Sequence, residues 1–137
     1  EFADREIRPE DDQRLINSLY YSDLVITGPT SISLDAAFFD KPVITVELYP
    51  RVLRNIYEGV WSYQCDHIQR LFRTNGVCHV TTKEDFLKAI DRYLTNPRED
   101  QEGRARIREC WFSRSDGKAG ERMAQELIAF LNRAVLP

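Results

Sequence analysis

Between Asp23 and Glu47 the chain reads DLVITGPTSISLDAAFFDKPVITVE. Leu24 to Thr27 is short, apolar and largely β-branched, the pattern of a strand buried on both faces. Gly28-Pro29 breaks it. Thr30 and Ser31 can supply N-cap oxygens to a helix running from about Ile32 to Phe39. Lys41-Pro42 closes that helix, and Val43 to Val46 is a second buried strand.

Toward the N-terminus, Pro9-Glu10-Asp11-Asp12 places acids where a helix start favours them. Leu15, Ile16, Leu19 and Tyr20 recur at helical spacing and predict a helix to about Tyr21. Toward the C-terminus the pattern is least regular from Leu48 to Gln64. It resumes with a short helix from Asp66 to Phe72, a stop at Gly76 and a third strand from Val77 to Val80. Thr82-Lys83-Glu84-Asp85 resembles a capping box with Asp in place of Glu. Behind it, Phe86, Leu87, Ile90, Tyr93 and Leu94 form an apolar stripe until Asn96-Pro97. A helix over Arg104 to Phe112, a polar turn from Ser113 to Gly117 and a long last helix follow. That last helix is marked by Ala119, Met123, Leu127, Phe130 and Leu131.

Strands alternating with helices imply an α/β fold, a Rossmann-like three-layer parallel sheet with helices on both faces. The expectation is a single domain over residues 1–137, with residues 1–8 irregular. Three strands are few for such a sheet, and the chain opens on Glu1-Phe2-Ala3. A sheet truncated at its N-terminal strands, part of a longer polypeptide, is therefore expected. A hydrophobic share of 42% supports one core of useful size. With 22 acids against 19 Lys and Arg, the charge argues against a dedicated nucleic-acid binder. Cys65, Cys78 and Cys110 form no CxxC pair, so neither a zinc ribbon nor a thioredoxin-type site is indicated. They read as three reduced thiols, two of them packed, in a cytosolic protein. No apolar run reaches the roughly 18 residues that span a bilayer, and no signal-peptide core precedes the first helix.

In open α/β sheets, ligands bind beyond the carboxyl ends of the strands. Gly28 to Ser33 stands at such a place, before a helix N-terminus whose free N–H groups favour a phosphate. Gly28 permits close backbone approach, and Thr30, Ser31 and Ser33 offer hydroxyls. Asp35, one turn further in, can accept hydrogen bonds from a ribose diol. The same hydroxyls are also ordinary helix caps, and the spacing alone leaves both readings open. The turn is neither a Walker A loop nor GxGxxG. His67 is the one imidazole at a loop-to-helix position, where it can contact a phosphate or transfer a proton. It is the catalytic candidate, with a surface helix-start role as the alternative. His79, inside a strand, reads as structural. Arg51, Arg54, Arg70 and Arg73 can balance phosphates or simply be solvated. Tyr49, Tyr57, Trp61 and Tyr63 read as packing against another domain, or as stacking on a sugar or base. Asp116-Gly117-Lys118 makes a turn.

Ser22-Asp23, Asp35-Ala36-Ala37, Lys41-Pro42-Val43-Ile44 and the later Asp116-Gly117-Lys118-Ala119 with Glu121-Arg122 carry a likeness. With them, the run from Asp23 to Leu48 resembles the C-terminal domain of GT-B-type glycosyltransferases, where a similar run surrounds the donor nucleotide. It is most similar to the group that includes CDP-glycerol glycerophosphotransferases and bacterial surface-polysaccharide glycosyltransferases, over about Asp12 to Leu131. The resemblance implies a nucleotide diphosphate donor, with Thr30, Ser31 and Ser33 facing its phosphates and Asp35 its ribose. It implies transfer of a sugar or polyol phosphate to a glycan-type acceptor held by an N-terminal domain, which would also carry the catalytic base. The donor enters as substrate, and neither cofactor nor metal is called for. A cytoplasmic enzyme, working at the inner membrane face or away from it, fits that chemistry. Two alternatives share the fold: a non-catalytic nucleotide-sensing or scaffold module, and a UDP-sugar 2-epimerase-like enzyme. The related epimerases carry a Gly-Gly and paired acids in this turn, which this chain lacks.

Overall fold

The computed structural model describes residues 8–48, 63–112 and 114–134. The irregular stretch around Tyr49, Arg51, Arg54, Tyr57 and Trp61, and the first seven residues, lie outside the described part. The elements run α1 (Pro9–Tyr21), β1 (Val25–Thr27), α2 (Ile32–Phe38), β2 (Val43–Val46), then α3 (Asp66–Phe72), β3 (Cys78–Val80), α4 (Lys83–Thr95), α5 (Gln101–Trp111) and α6 (Ala119–Ala134).

The three strands form one parallel sheet in the order β1-β2-β3, with Val25 opposite Val43 and Ile44 opposite Cys78. Alternation along the strands gives each face its own core. Val43 meets Leu19, Ala36, Ala37, Leu71 and Ile107 from the helices of one face. Ile44 and Val80 meet Ala89 and Tyr93 of α4 on the other. The fold is α/β with helices on both faces of a parallel sheet.

Burial on both faces holds for β2, whose Val43, Ile44 and Thr45 are fully covered. It fails for β1. Ile26 is 50% exposed because β1 is an edge strand and α4 packs chiefly on β2 and β3. The narrow sheet also leaves two residues of the expected α4 stripe, Leu87 and Leu94, in solvent. The buried line on α4 runs through Ala89 and Tyr93 instead.

α5 starts at Gln101, three residues before the expected Arg104. Glycine lowers helix propensity, but the fold requires it at position 103. A Cβ on Gly103 would stand 2.1 Å from the Asn75 carbonyl oxygen, and one on Gly76 would stand 2.5 Å from the Gly103 carbonyl carbon. The two glycines let α5 rest directly on the α3–β3 turn.

Arg104, 1% exposed, locks the same corner. Its Nε donates to Asp40 Oδ1 at 3.0 Å, Nη1 to the Glu99 carbonyl at 2.7 Å and Nη2 to the Pro97 carbonyl at 2.9 Å. Arg108 Nη1 donates to the same Asp40 oxygen and to the Ala37 carbonyl. Asp40 sits at φ 56, a left-handed conformation that Asp tolerates better than most residues. The α2 exit, the α4–α5 turn and α5 are thereby tied to one carboxylate.

At α4 the N-cap works as expected: Thr82 Oγ1 accepts from the Asp85 N–H at 3.1 Å. The return half of the box differs, because Asp85 Oδ2 accepts the Thr82 hydroxyl and not its N–H. Cys78 and Cys110 are free thiols, the first half-buried and the second exposed, and Cys65 is half-buried. Among the described residues no helix is long and apolar enough to cross a membrane.

Candidate functional site

The β1–α2 turn leaves the carboxyl end of β1, and α3 begins beside it. The two meet at a cleft of 120 Å³. Thr30, Ser31 and His67 form its polar rim, and Leu34, Leu71 and Trp111 are among the apolar residues that floor it. Two helix starts therefore converge on one opening: Ser31 is the N-cap residue of α2, and His67 is the second residue of α3. Both helices have seven residues, so their dipoles are small contributors beside the side chains. The volume equals roughly four waters, enough for one group of a larger ligand and well below a pocket of about 300 Å³ or more that encloses a whole small molecule.

The hydroxyls in this turn do not cap the helix. Ser31 lies at φ −61, ψ −19, and its side chain makes no cap hydrogen bond. Thr30 Oγ1 pairs with Thr27 Oγ1 at 3.1 Å. Gly28 has no positive φ, and nothing lies within 4 Å of where its Cβ would be. The packing of the described chain therefore does not account for a glycine there, whereas close approach of a ligand would.

Two residues expected beside them are elsewhere. Ser33 is fully buried on the stripe of α2 that carries Ala36 and Ala37, and its Oγ has no hydrogen-bond partner. It faces the core, and its hydroxyl does not open onto the cleft. Asp35 lies about 100° around α2 from the cleft residue Leu34 and a full turn along the axis from Ser31. It lines an apolar groove of 230 Å³ with Leu15, Ile16, Leu19, Phe38 and Phe112. Partial burial there raises its carboxyl above the usual range. The structure joins Thr30, Ser31 and His67, and separates Ser33 and Asp35 from them.

His79 is packed, as its place in a strand implied. Its ring lies nearly parallel to Phe72, 4.7 Å between centroids, and to Tyr63 at 4.9 Å. Nε2 is 2.9 Å from Glu47 Oε2. Tyr63 was expected to face another domain or a ligand, yet it is buried, and its hydroxyl donates to the Val46 carbonyl at 2.5 Å. The packing of α3 against the sheet uses that ring internally. Arg73 is exposed, while the Arg70 guanidinium lies 5.9 Å from the centre of the Trp111 ring, beside the cleft.

Trp111 is the cleft residue that sequence reasoning missed. It arrives from α5, eighty positions after Ser31 in the chain, and no local pattern connects the two. Among the described residues no group of three His, Cys, Asp or Glu is placed to hold a metal ion. No family model, curated protein or solved structure matches this chain.

Proposed function

We propose that the chain is the donor-holding part of a GT-B-type glycosyltransferase or glycerophosphotransferase, its Rossmann-like sheet continued by further strands beyond β1. The observation that carries the reading is the convergence of Thr30, Ser31 and His67 on one cleft at the carboxyl end of the sheet. That is where open α/β folds bind ligands, and the Ser31 hydroxyl, the Thr30 hydroxyl that pairs with Thr27 and an imidazole suit phosphoryl oxygens. The cleft holds one group of the donor, and the rest extends over Gly28. In the transfer, Thr30, Ser31 and His67 would hold the departing nucleotide, a diphosphate when a sugar is transferred and a monophosphate when a polyol phosphate is, and stabilise the charge that develops on it. The transferred sugar or polyol phosphate would pass to an acceptor on an N-terminal domain of a cytoplasmic enzyme that can lie at the inner membrane face.

The position of Asp35 favours a second reading, a nucleotide-sensing module without transfer chemistry, since the expected ribose carboxylate lies outside the cleft. Titration with CDP, UDP, GDP and ADP, followed through the amide signals of Thr30, Ser31 and His67, tests both. Shifts confined to these residues are expected, weakened by Thr30→Val and by His67→Ala. No shift with any of the four removes the nucleotide reading. Shifts that persist unchanged in both variants remove the cleft. Full binding after Asp35→Ala removes the ribose role alone.

A further inference from the structure

α6 has no cover. Met123, Leu127, Ile128, Phe130 and Leu131 are all more than half exposed, and no residue of α6 joins either core cluster. Arg122 Nη1, 2.9 Å from Asp116 Oδ2, ties only its first turn to the turn before it. An isolated helix of this length is marginal in water, and an apolar face this broad requires a partner. Glu121 and Glu126 balance Arg122 and Arg133. The helix thus lacks the Lys/Arg-rich polar face that holds amphipathic helices on anionic membranes. We propose that the partner is α6 of a second copy, packed antiparallel.

One register satisfies three separate requirements. Met123, Leu127 and Phe130 fall on core positions of a heptad, with Ala124 and Leu131 on one flank and Glu126 and Arg133 on the other. In an antiparallel pair, like flanks of the two helices meet. Setting Leu127 opposite Phe130 of the second copy places Ala124 opposite Leu131 of the second copy, small against large. The same offset places Glu126 opposite Arg133 of the second copy, and the two-fold axis repeats each contact. Arg122 is occupied by Asp116, while the Arg133 Nε donates only within its own helix, to the Ala129 carbonyl. A parallel pair would set Glu126 against Leu131 and lose both the volume match and the charge match.

Sedimentation equilibrium on the whole chain, with circular dichroism as a check on folding, tests the arrangement. A reversible monomer–dimer equilibrium is expected, abolished by Leu127→Lys without change in the melting of the body. Glu126→Arg and Arg133→Glu should each weaken the dimer about tenfold, and the double variant should recover it. A chain that stays monomeric into the millimolar range overturns the proposal. So does a dimer indifferent to the single charge reversals, or a double variant as weak as either single one.

Discussion

Replacing Asp40 probes the corner that holds α2, the α4–α5 turn and α5 together. Arg104 is 1% exposed, and Asp40 is its only anionic partner among the described residues. Removing one member of a buried ion pair costs about 3–5 kcal/mol, because the other charge is left in a low-dielectric site. Asp40 itself is 35% exposed, so water can partly replace it, and about 2–3 kcal/mol is expected. Asp40→Gly isolates this loss, since glycine accepts φ 56 without strain. Asp40→Asn keeps one acceptor oxygen and should lose about half as much. Urea unfolding followed by far-UV circular dichroism reads the effect, with the midpoint for Asp40→Gly falling by about 1 M or more at unchanged slope. Arg104→Met should cost less when combined with Asp40→Gly than alone, because it no longer strands the carboxylate. The pH dependence supplies a second signature. Burial opposes ionisation of Asp40, yet hydrogen bonds from Arg104, Arg108 and Gln101 together outweigh it and hold its pKa below the usual range. A carboxyl with a depressed folded pKa contributes stability above its unfolded pKa, near 3.9, and loses it as pH falls through the folded value. The gap between the native chain and Asp40→Asn should therefore close below about pH 4. A midpoint for Asp40→Gly within about 0.3 M of the native chain would refute the reasoning.

Gly103→Ala should lower the urea midpoint by the equivalent of about 1–3 kcal/mol, although alanine is the better helix former, because its Cβ would meet the Asn75 carbonyl at 2.1 Å. A stabilised variant would show that the α3–β3 turn yields freely. Ser33→Ala should leave stability unchanged or raise it slightly, since it removes a buried hydroxyl that has no partner. A loss above about 1 kcal/mol in the same measurement would reveal a hydrogen bond. For Asp35 the sign is opposite to that of Asp40. Its pKa is raised by burial, so the ionised carboxylate costs stability at neutral pH, and that cost disappears as pH falls through the folded pKa toward the unfolded one. Asp35→Asn should match or exceed the native melting temperature at pH 7 and lose that advantage in acid; a clear destabilisation at pH 7 would contradict it.

The order of elements was legible because each carries its own local signal. Pro42 ahead of Val43, Thr82 ahead of α4 and Asn96-Pro97 behind it are punctuation that a single strand or helix supplies for itself. What failed was everything decided by width. Leu24 to Thr27 has the composition of a strand buried on both faces, and composition does not say that it ends as an edge strand with Ile26 half-exposed. Leu87 and Leu94 belong to a periodic stripe, but a sheet of three strands offers too little surface to cover it all. The reason for glycine at position 103 lies at Asn75 and Gly76, across a backbone contact that no helical propensity contains.

The site shows the same division more sharply, because its chemistry depends on rotation about a helix axis. Ser31, Ser33 and Asp35 alternate in the sequence, and alternation suits a strand; on a helix, successive members are turned about 200° apart. Ser31 therefore opens on the cleft while Ser33 turns into the core, and Asp35 comes back near Ser31 but a full turn further along, where α1 and Phe112 form the walls. The resemblance put Ser31 and Ser33 beside the donor phosphates and Asp35 beside the ribose, and the helix can present only the first of them to the cleft with Thr30. The second half of the cleft comes from α3 and α5, which is why His67 was recognisable only as an imidazole at a helix start and Trp111 not at all. In the proposed function a ligand would meet Thr30 and Ser31 on one wall and His67 and Trp111 on the other. Its affinity would then depend on how rigidly α3 and α5 are held against α2, and Asp40 with its two arginines ties α5 to the α2 exit.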